Sequence, residues 1–372
     1  MLSTADTIPS AHNRLSPEVL GLIVDQMDLP SLLAWRITCA VNYAHATAAL
    51  KRSLTSAINP FMSYPHALLG IISRYSAVIG GEVALAFIRR HQSFQPQTLE
   101  IFASVSLYEP LCHELLSDSR ITVDVISTTS ATARYPYNQQ RDILETTQIV
   151  LRSTRTIYIR QSSTLSPLSP IVRSICTAMA NFVTPHSFGC AYPCLTLHDK
   201  SLLSDLTHGT IVEFDTAILR ALADQQIEQA VDPTSWQQYQ ISPPTSTFAG
   251  ATKACWRSHY ICPGQSRFFG DRGSLVDFID PLGTPGTTLL RQGSPPFGTT
   301  VIWRLSAGYQ CPLSCESRDS RLVMGQKSTA VILMPDPFTK IRRGRQCSPV
   351  RKDRAHRSGD PYRRRRNRST SL

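Results

Sequence analysis

The clearest pattern of apolar and polar positions in the first third of the chain is a strand, a glycine pair, a helix and a second strand. Ser76–Ile79 is short, apolar and strand-forming, and it ends at Gly80 and Gly81, where the chain can turn tightly or let a ligand approach the backbone. Glu82–Arg90 has apolar residues at helical spacing, with an acid at its start and arginines at its end, as the helix dipole favours. Thr98–Ala103 alternates like a second strand.

The first fifty residues predict a helical module after a polar terminus. We expect residues 1–13 to be disordered and residues 14–50 to be helical, because apolar residues then recur at helical spacing. Ser16 followed by Pro17 is typical of a helix start, with the serine as N-cap and the proline in the first turn. The apolar pattern breaks at Asp28–Ser31 and then resumes.

The remainder predicts strands interspersed with helices. Helices are predicted at His66–Arg74, Tyr108–Leu116, Arg141–Arg152, Pro167–Val183 and Glu213–Ala230. Strands are predicted at Ile121–Ile126, Thr156–Arg160, Ser274–Ile279, Val301–Leu305 and Thr329–Met334. The fold class is therefore α+β (mixed), with the short helical module followed by a larger mixed α/β domain over residues 51–339.

Composition is that of a globular protein of about two domains, with 42% hydrophobic and 17% charged residues in 372. No apolar run approaches the roughly 20 residues of a membrane span, and the N-terminus lacks the apolar centre of a secretory signal. We expect an intracellular protein, cytoplasmic or nuclear, without a membrane partner. The chain has no P-loop, G-x-G-x-x-G, G-x-S-x-G or H-E-x-x-H motif, which leaves those catalytic routes unsupported.

The net charge of +11 falls entirely in residues 340–372, which hold 13 Lys and Arg against two Asp. This segment has no apolar periodicity and is predicted to be a disordered basic tail. Its arginine cluster is a candidate for nuclear import or for nucleic-acid contact, because guanidinium groups pair with phosphates. The cluster consists of Arg363, Arg364, Arg365, Arg366 and Arg368. The alternative is a basic extension without a partner.

The ten cysteines are too dilute for a disulfide scaffold. The residues that could form a zinc site are Cys190, Cys194, Cys255, Cys262, Cys311 and Cys315. Structural zinc sites more often use a C-x-x-C spacing, whereas the two pairs here are C-x-x-x-C and lie far apart in the chain. We expect scattered free thiols, with no metal and no cofactor, and keep a shared zinc site as the alternative. Similarly, Asp271 beside Arg272 predicts a hairpin turn with a solvated charge pair, the alternative being a polar ligand site.

The order strand, Gly80-Gly81, helix, strand resembles the opening of the nucleotidyltransferase fold, which makes Gly80 and Gly81 the candidate turn for a phosphate. In that family the second strand carries two carboxylates one residue apart, which hold Mg²⁺ at the transferring phosphate. Here the two positions are Thr98 and Glu100, and Asp124 is the nearest further carboxylate. A later strand supplies a third acid in active relatives, whereas Thr156–Arg160 has none. The resemblance implies the fold with an inactive site; metal-dependent nucleotidyl transfer through Glu100 and Asp124 is the alternative.

The helical module resembles the F-box, a three-helix module that docks on the Skp adaptor of a cullin ubiquitin ligase. The matching positions are Leu15, Pro17, Glu18, Val19, Ile23, Met27, Leu29, Leu32, Arg36, Cys39 and Tyr43. The resemblance implies that the adaptor is contacted by Leu15, Pro17, Val19, Leu20, Ile23 and Leu32. The alternative is a helical hairpin that packs on the larger domain.

Residues 15–338 also resemble a group of F-box-like proteins of basidiomycete fungi, on the segments IGGEVALAF, TLEIF, SFGCAYPCLTL and FFGDRGSLVDF. The group brings no activity with it. The resemblances together imply a non-enzymatic adaptor that docks on a Skp-family protein and presents an unidentified target protein. Metal-dependent nucleotidyl transfer and nucleic-acid binding by the tail are the other two hypotheses.

Overall fold

The computed structural model of the protein describes residues 15–90, 94–122, 125–132, 141–204, 213–240, 256–280, 299–306 and 329–333. All of these stretches belong to one compact unit within residues 1–334. The helical module and the larger domain named above are therefore parts of the same unit. The basic tail, the N-terminal residues 1–13 and Asp124 lie outside the described residues.

Most of the longer helices among the described residues lie in the first third of the chain. The helices are α1 Pro17–Gln26, α2 Leu29–Arg36, α3 Ala40–Ile58, α4 Pro65–Arg74, α5 Gly81–Arg89, α6 Tyr108–Ser117, α7 Ser119–Thr122, α8 Ser169–Val172, α9 Pro193–Thr196 and α10 Glu213–Asp224. The predicted start of α1 is confirmed, because the Ser16 side chain accepts a hydrogen bond from the backbone N–H of Val19. The predicted break is confirmed too, since Asp28 caps α2 through the N–H of Ser31.

The strands form one large mixed sheet and two small sheets. The strands are β1 Val78–Gly80, β2 Thr98–Ala103, β3 Val125–Thr132, β4 Ile143–Leu151, β5 Thr156–Ser162, β6 Asn181–Val183, β7 Ser187–Cys190, β8 Lys200–Leu202, β9 Glu228–Ala230, β10 Arg267–Phe268, β11 Leu275–Phe278, β12 Thr299–Trp303 and β13 Thr329–Leu333. The eight-stranded sheet has the order β11-β7-β6-β1-β2-β5-β4-β3. Its β2 and β5 are parallel and its other neighbours antiparallel, which confirms the mixed α+β class.

Hydrophobic cores lie on both faces of this sheet. Val78 and Ile79 are neighbours on β1, but their side chains belong to different cores. This follows from the alternation of side chains between the two faces of a strand. The core around Ile79 also contains Val24 of α1 and Leu32 of α2. The three N-terminal helices therefore pack on the sheet and share its core, which is the packing that the hairpin alternative expected.

The glycine-pair unit matches its prediction, with β1, α5 and β2 within two residues of the expected bounds. The prediction of a helix at Arg141–Arg152 is wrong, because this segment forms β4, which pairs with β3 on one side and β5 on the other. Its β-branched residues fit a sheet better than a helix. Pro167–Val183 is also not one helix, since α8, a 3₁₀ turn and β6 divide it. Glu213–Ala230 ends as a helix at Asp224 and continues as β9.

Candidate functional site

The glycine pair lies directly against Glu100. The register of β1 on β2 places Gly80 opposite Glu100. Gly81 begins α5 with φ of +61°, a left-handed conformation that favours glycine. A Cβ at Gly81 would lie 3.1 Å from the carboxyl carbon of Glu100. The turn therefore brings backbone close to the carboxylate.

A buried arginine occupies the other side of that carboxylate. β5 runs parallel to β2 with Tyr158 opposite Glu100, so Arg160, two residues further on, shares the face of Glu100. The Arg160 Nη2 lies 3.3 Å from Glu100 Oε1, and both side chains are buried. The guanidinium also stacks over the ring of Tyr158, with 5.0 Å to the ring centroid. Sequence reasoning missed Arg160 because the pairing spans 60 residues.

These side chains do not fit a site for Mg²⁺. A divalent ion at Glu100 would compete with the guanidinium already bound to that carboxylate. Thr98 occupies the other of the two carboxylate positions on β2 and supplies no charge. The neighbouring strand β5 has Tyr158 and Arg160 beside Glu100, and neither is an acid. Over the described stretches, no group of three or more His, Cys, Asp or Glu side chains could hold a metal ion. Glu100 is thus held in an ion pair, and no catalytic step is derived from it.

Glu82, read from the sequence as a charge at the start of a helix, is a buried tie between α5 and β2. Its Oε2 accepts hydrogen bonds from the backbone N–H groups of Gln97 and Thr98, at 2.6 and 2.9 Å. Burial raises the pKa of the Glu82 carboxyl, against the opposing effect of these hydrogen bonds. These hydrogen bonds hold the first residues of β2 beside the glycine turn.

The residues predicted to contact an adaptor divide between the surface and the core. Leu20 and Leu32 are 7% and 0% exposed and pack inside, so they are not available to a partner in this conformation. Pro17 is exposed. Leu15, Val19 and Ile23 are exposed too. Leu22, which the sequence analysis did not include, is also exposed. We define the α1 apolar face as Leu15 (43% exposed), Val19 (42%), Leu22 (68%) and Ile23 (47%).

Arg36 fixes the N-terminal helices to the edge of the sheet. Its buried guanidinium donates to the backbone carbonyls of Phe278 and Ile279, at 2.6 and 3.1 Å. The ring of Tyr43 lies beneath the guanidinium, 4.7 Å from centroid to Cζ. Two positions that match the F-box pattern, Arg36 and Tyr43, therefore make contacts within this chain.

The described cysteines are free thiols, as expected. Burial raises the pKa of Cys190 to about 12 and also raises the pKa of Cys176 and Cys194, so these groups stay protonated. Of the other four cysteines considered for a zinc site, Cys262 is a buried thiol, and Cys255, Cys311 and Cys315 lie outside the described residues.

The turn at Asp271 differs from its prediction as a solvated charge pair. Asp271 binds Arg267, not Arg272, with 2.6 Å between Oδ2 and Nε. Arg267 is fully buried between the rings of Tyr192 and Tyr260, 4.8 and 5.3 Å from their centroids. Because its donors are taken by Asp271 and by backbone carbonyls, this cluster is structural.

None of the described helices has the length and apolarity to cross a membrane. Comparisons with models of protein families, with curated proteins and with solved structures found no match to this chain.

Proposed function

We propose that the protein is an adaptor: the α1 apolar face docks on the Skp-family subunit of a cullin ubiquitin ligase, and residues 51–339 present a target protein. The observation that carries the proposal is the exposure of four large apolar side chains on and beside one short helix. Large contiguous apolar patches are rare on the surface of soluble proteins and are typical of protein interfaces.

The spacing of these side chains supports docking of one helix face. Val19, Leu22 and Ile23 stand three and four residues apart, so they lie on the same side of α1. The opposite side of α1 carries Leu20 and Val24, which pack in the core. The helix thus already has core contacts through Leu20 and Val24, and more than 40% of each side chain in the α1 apolar face is left to solvent.

The packing of the module supports the presentation of a target at a fixed position. The N-terminal helices share a core with the sheet, and Arg36 joins them to the carbonyls after β11. A partner that holds α1 would therefore hold the sheet in a set orientation, which is what a scaffold between a ligase and a target requires.

The test is capture of a purified Skp-family protein by this chain and by Ile23→Asp. A charge in the centre of the apolar face should weaken capture by about 30-fold or more, the loss typical of a truncated hot spot. Ile23 is 47% exposed, so the substitution should leave the fold intact, as measured by circular dichroism and the thermal midpoint.

Leu116→Asp is the matched control, because Leu116 is 38% exposed on α6, outside the module. It introduces the same charge at similar exposure and should capture Skp like the unmodified chain. Equal capture by all three chains, or capture by none, would overturn the adaptor proposal.

The two other hypotheses have less support. Nucleotidyl transfer would need Glu100 free of Arg160 and a second carboxylate, and Asp124 lies outside the described residues. Nucleic-acid binding would rest on the arginine cluster of residues 363–368, in a segment that the structure does not describe. The apolar face is by contrast formed by described side chains.

A further inference from the structure

A cleft of about 580 Å³ separates α3 from α5 and from residues 94–96. It opens beside the C-terminal end of α1, where Asp25 contributes to its wall. A volume of this size is typical of sites for small organic molecules. No part of the glycine turn or of the α1 apolar face lines it.

The polar side of the cleft carries two arginines and one acid. Arg52 and Arg90 line it, and Arg52 forms an ion pair with Asp25, with 2.7 Å between Nη2 and Oδ1. This pair is about half exposed, so it can open at little cost. The hydroxyl groups of Ser53 and Ser56, on the same helix as Arg52, add donors to this side. The three ionised groups sum to one positive charge.

Arg90 is already fixed in place by its other contacts. Its Nε and Nη2 donate to the backbone carbonyls of Met27 and Val24, at 2.9 and 3.1 Å, and so cap the end of α1. Its Nη1 is buried, and among the described atoms it has no hydrogen-bond partner. Arg90 therefore places a fixed positive charge in the lining of the cleft, and Arg52, whose side chain is about half exposed, is the guanidinium that an anion can reach.

Apolar residues complete the lining of the cleft. Phe94 is the largest of these side chains and is 8% exposed, and the others are Ala49 and Ala57 of α3 and Ala86 of α5. The small side chains leave room that larger ones would fill. The cleft thus joins an apolar wall to an arginine pair.

We propose that this cleft binds a small organic monoanion: an aromatic or aliphatic body against Phe94, with a carboxylate received by Arg52 beside the positive charge of Arg90. One negative charge matches the net charge of the lining, and a carboxylate can accept two hydrogen bonds from the Arg52 guanidinium. The assignment goes beyond the adaptor function and does not depend on it.

The test uses three probes and isothermal titration calorimetry on the full chain. Phenylacetate carries both the aromatic ring and the negative charge. Phenylacetamide carries the same ring without a charge, and acetate carries the negative charge without a ring. We expect phenylacetate to bind at least ten-fold tighter than either of the others. Tighter binding of phenyl phosphate than of phenylacetate would overturn the assignment of a monoanion.

The matched variants are Arg52→Met and Arg74→Met. Both remove one positive charge, and Arg74 is a surface arginine on α4 that pairs with Glu114 away from the cleft. Arg52→Met should lower the affinity for phenylacetate at least ten-fold and leave phenylacetamide unchanged, whereas Arg74→Met should change neither. Equal loss in the two variants, equal binding of phenylacetate and phenylacetamide, or no binding of phenylacetate would overturn the proposal.

Discussion

Gly81→Ala should destabilise the protein, although it adds only one methyl group. Gly81 has φ of +61°, and an alanine in that left-handed conformation costs about 1–2 kcal/mol. Its Cβ would also lie 3.1 Å from both the carboxyl carbon and the Cγ of Glu100. Glu100 cannot move away freely, because it is buried and paired with Arg160.

The contact adds about 1 kcal/mol, at the low end of the cost of overpacking a core. The lower entropy of alanine in the unfolded chain offsets about 0.5 kcal/mol of this. The net prediction is a loss of about 2 kcal/mol in the free energy of unfolding, measured by urea denaturation.

Gly70→Ala is the matched control. Gly70 is exposed within α4, with no atom within 4 Å of an added Cβ. The same substitution should there stabilise the protein by about 0.5–1 kcal/mol, because alanine is the better helix former. If Gly81→Ala proves as stable as Gly70→Ala, the left-handed turn against Glu100 is not present in solution.

Two further predictions concern buried charges. Burial raises the pKa of Glu82 above its ordinary 4.5, so its contribution to stability is complete below pH 4.5 and is lost as the pH rises through the folded pKa. Glu82→Gln keeps an acceptor for the backbone and should flatten that decline, measured as unfolding free energy against pH; an unchanged slope would contradict it. Arg36→Met leaves the carbonyls of Phe278 and Ile279 without their donor and should cost about 3 kcal/mol in urea denaturation, whereas a cost below about 1 kcal/mol would refute the tie.

Local patterns predicted the elements whose signals lie within a few residues. The Ser16 cap, the helix after Gly81 and the strand Thr98–Ala103 were all predicted from spacing, capping residues and glycine. In each case the residues that determine the structure are neighbours in the chain.

The features that could not be predicted from the sequence depend on contacts between residues far apart in the chain. The helix predicted at Arg141–Arg152 is instead the strand β4, because its pairing with β3 and β5 decides its structure. The partner of Glu100 was missed since it depends on the parallel register of β2 and β5. The burial of Leu20 and Leu32 likewise depends on the helices packing on the sheet, which no local spacing encodes.

The bond from Arg36 to Phe278 joins residues 242 positions apart. At a synthesis rate of 5–20 residues per second, the carbonyl that Arg36 needs emerges roughly 10–50 s after the arginine itself. During that interval α2 is made, but its Arg36 guanidinium has no Phe278 carbonyl to bind, because the edge strand β11 has not yet been synthesised. Helices α1 and α2 thus leave the ribosome long before the Arg36 contact can secure them, and chaperones have access to them throughout that interval.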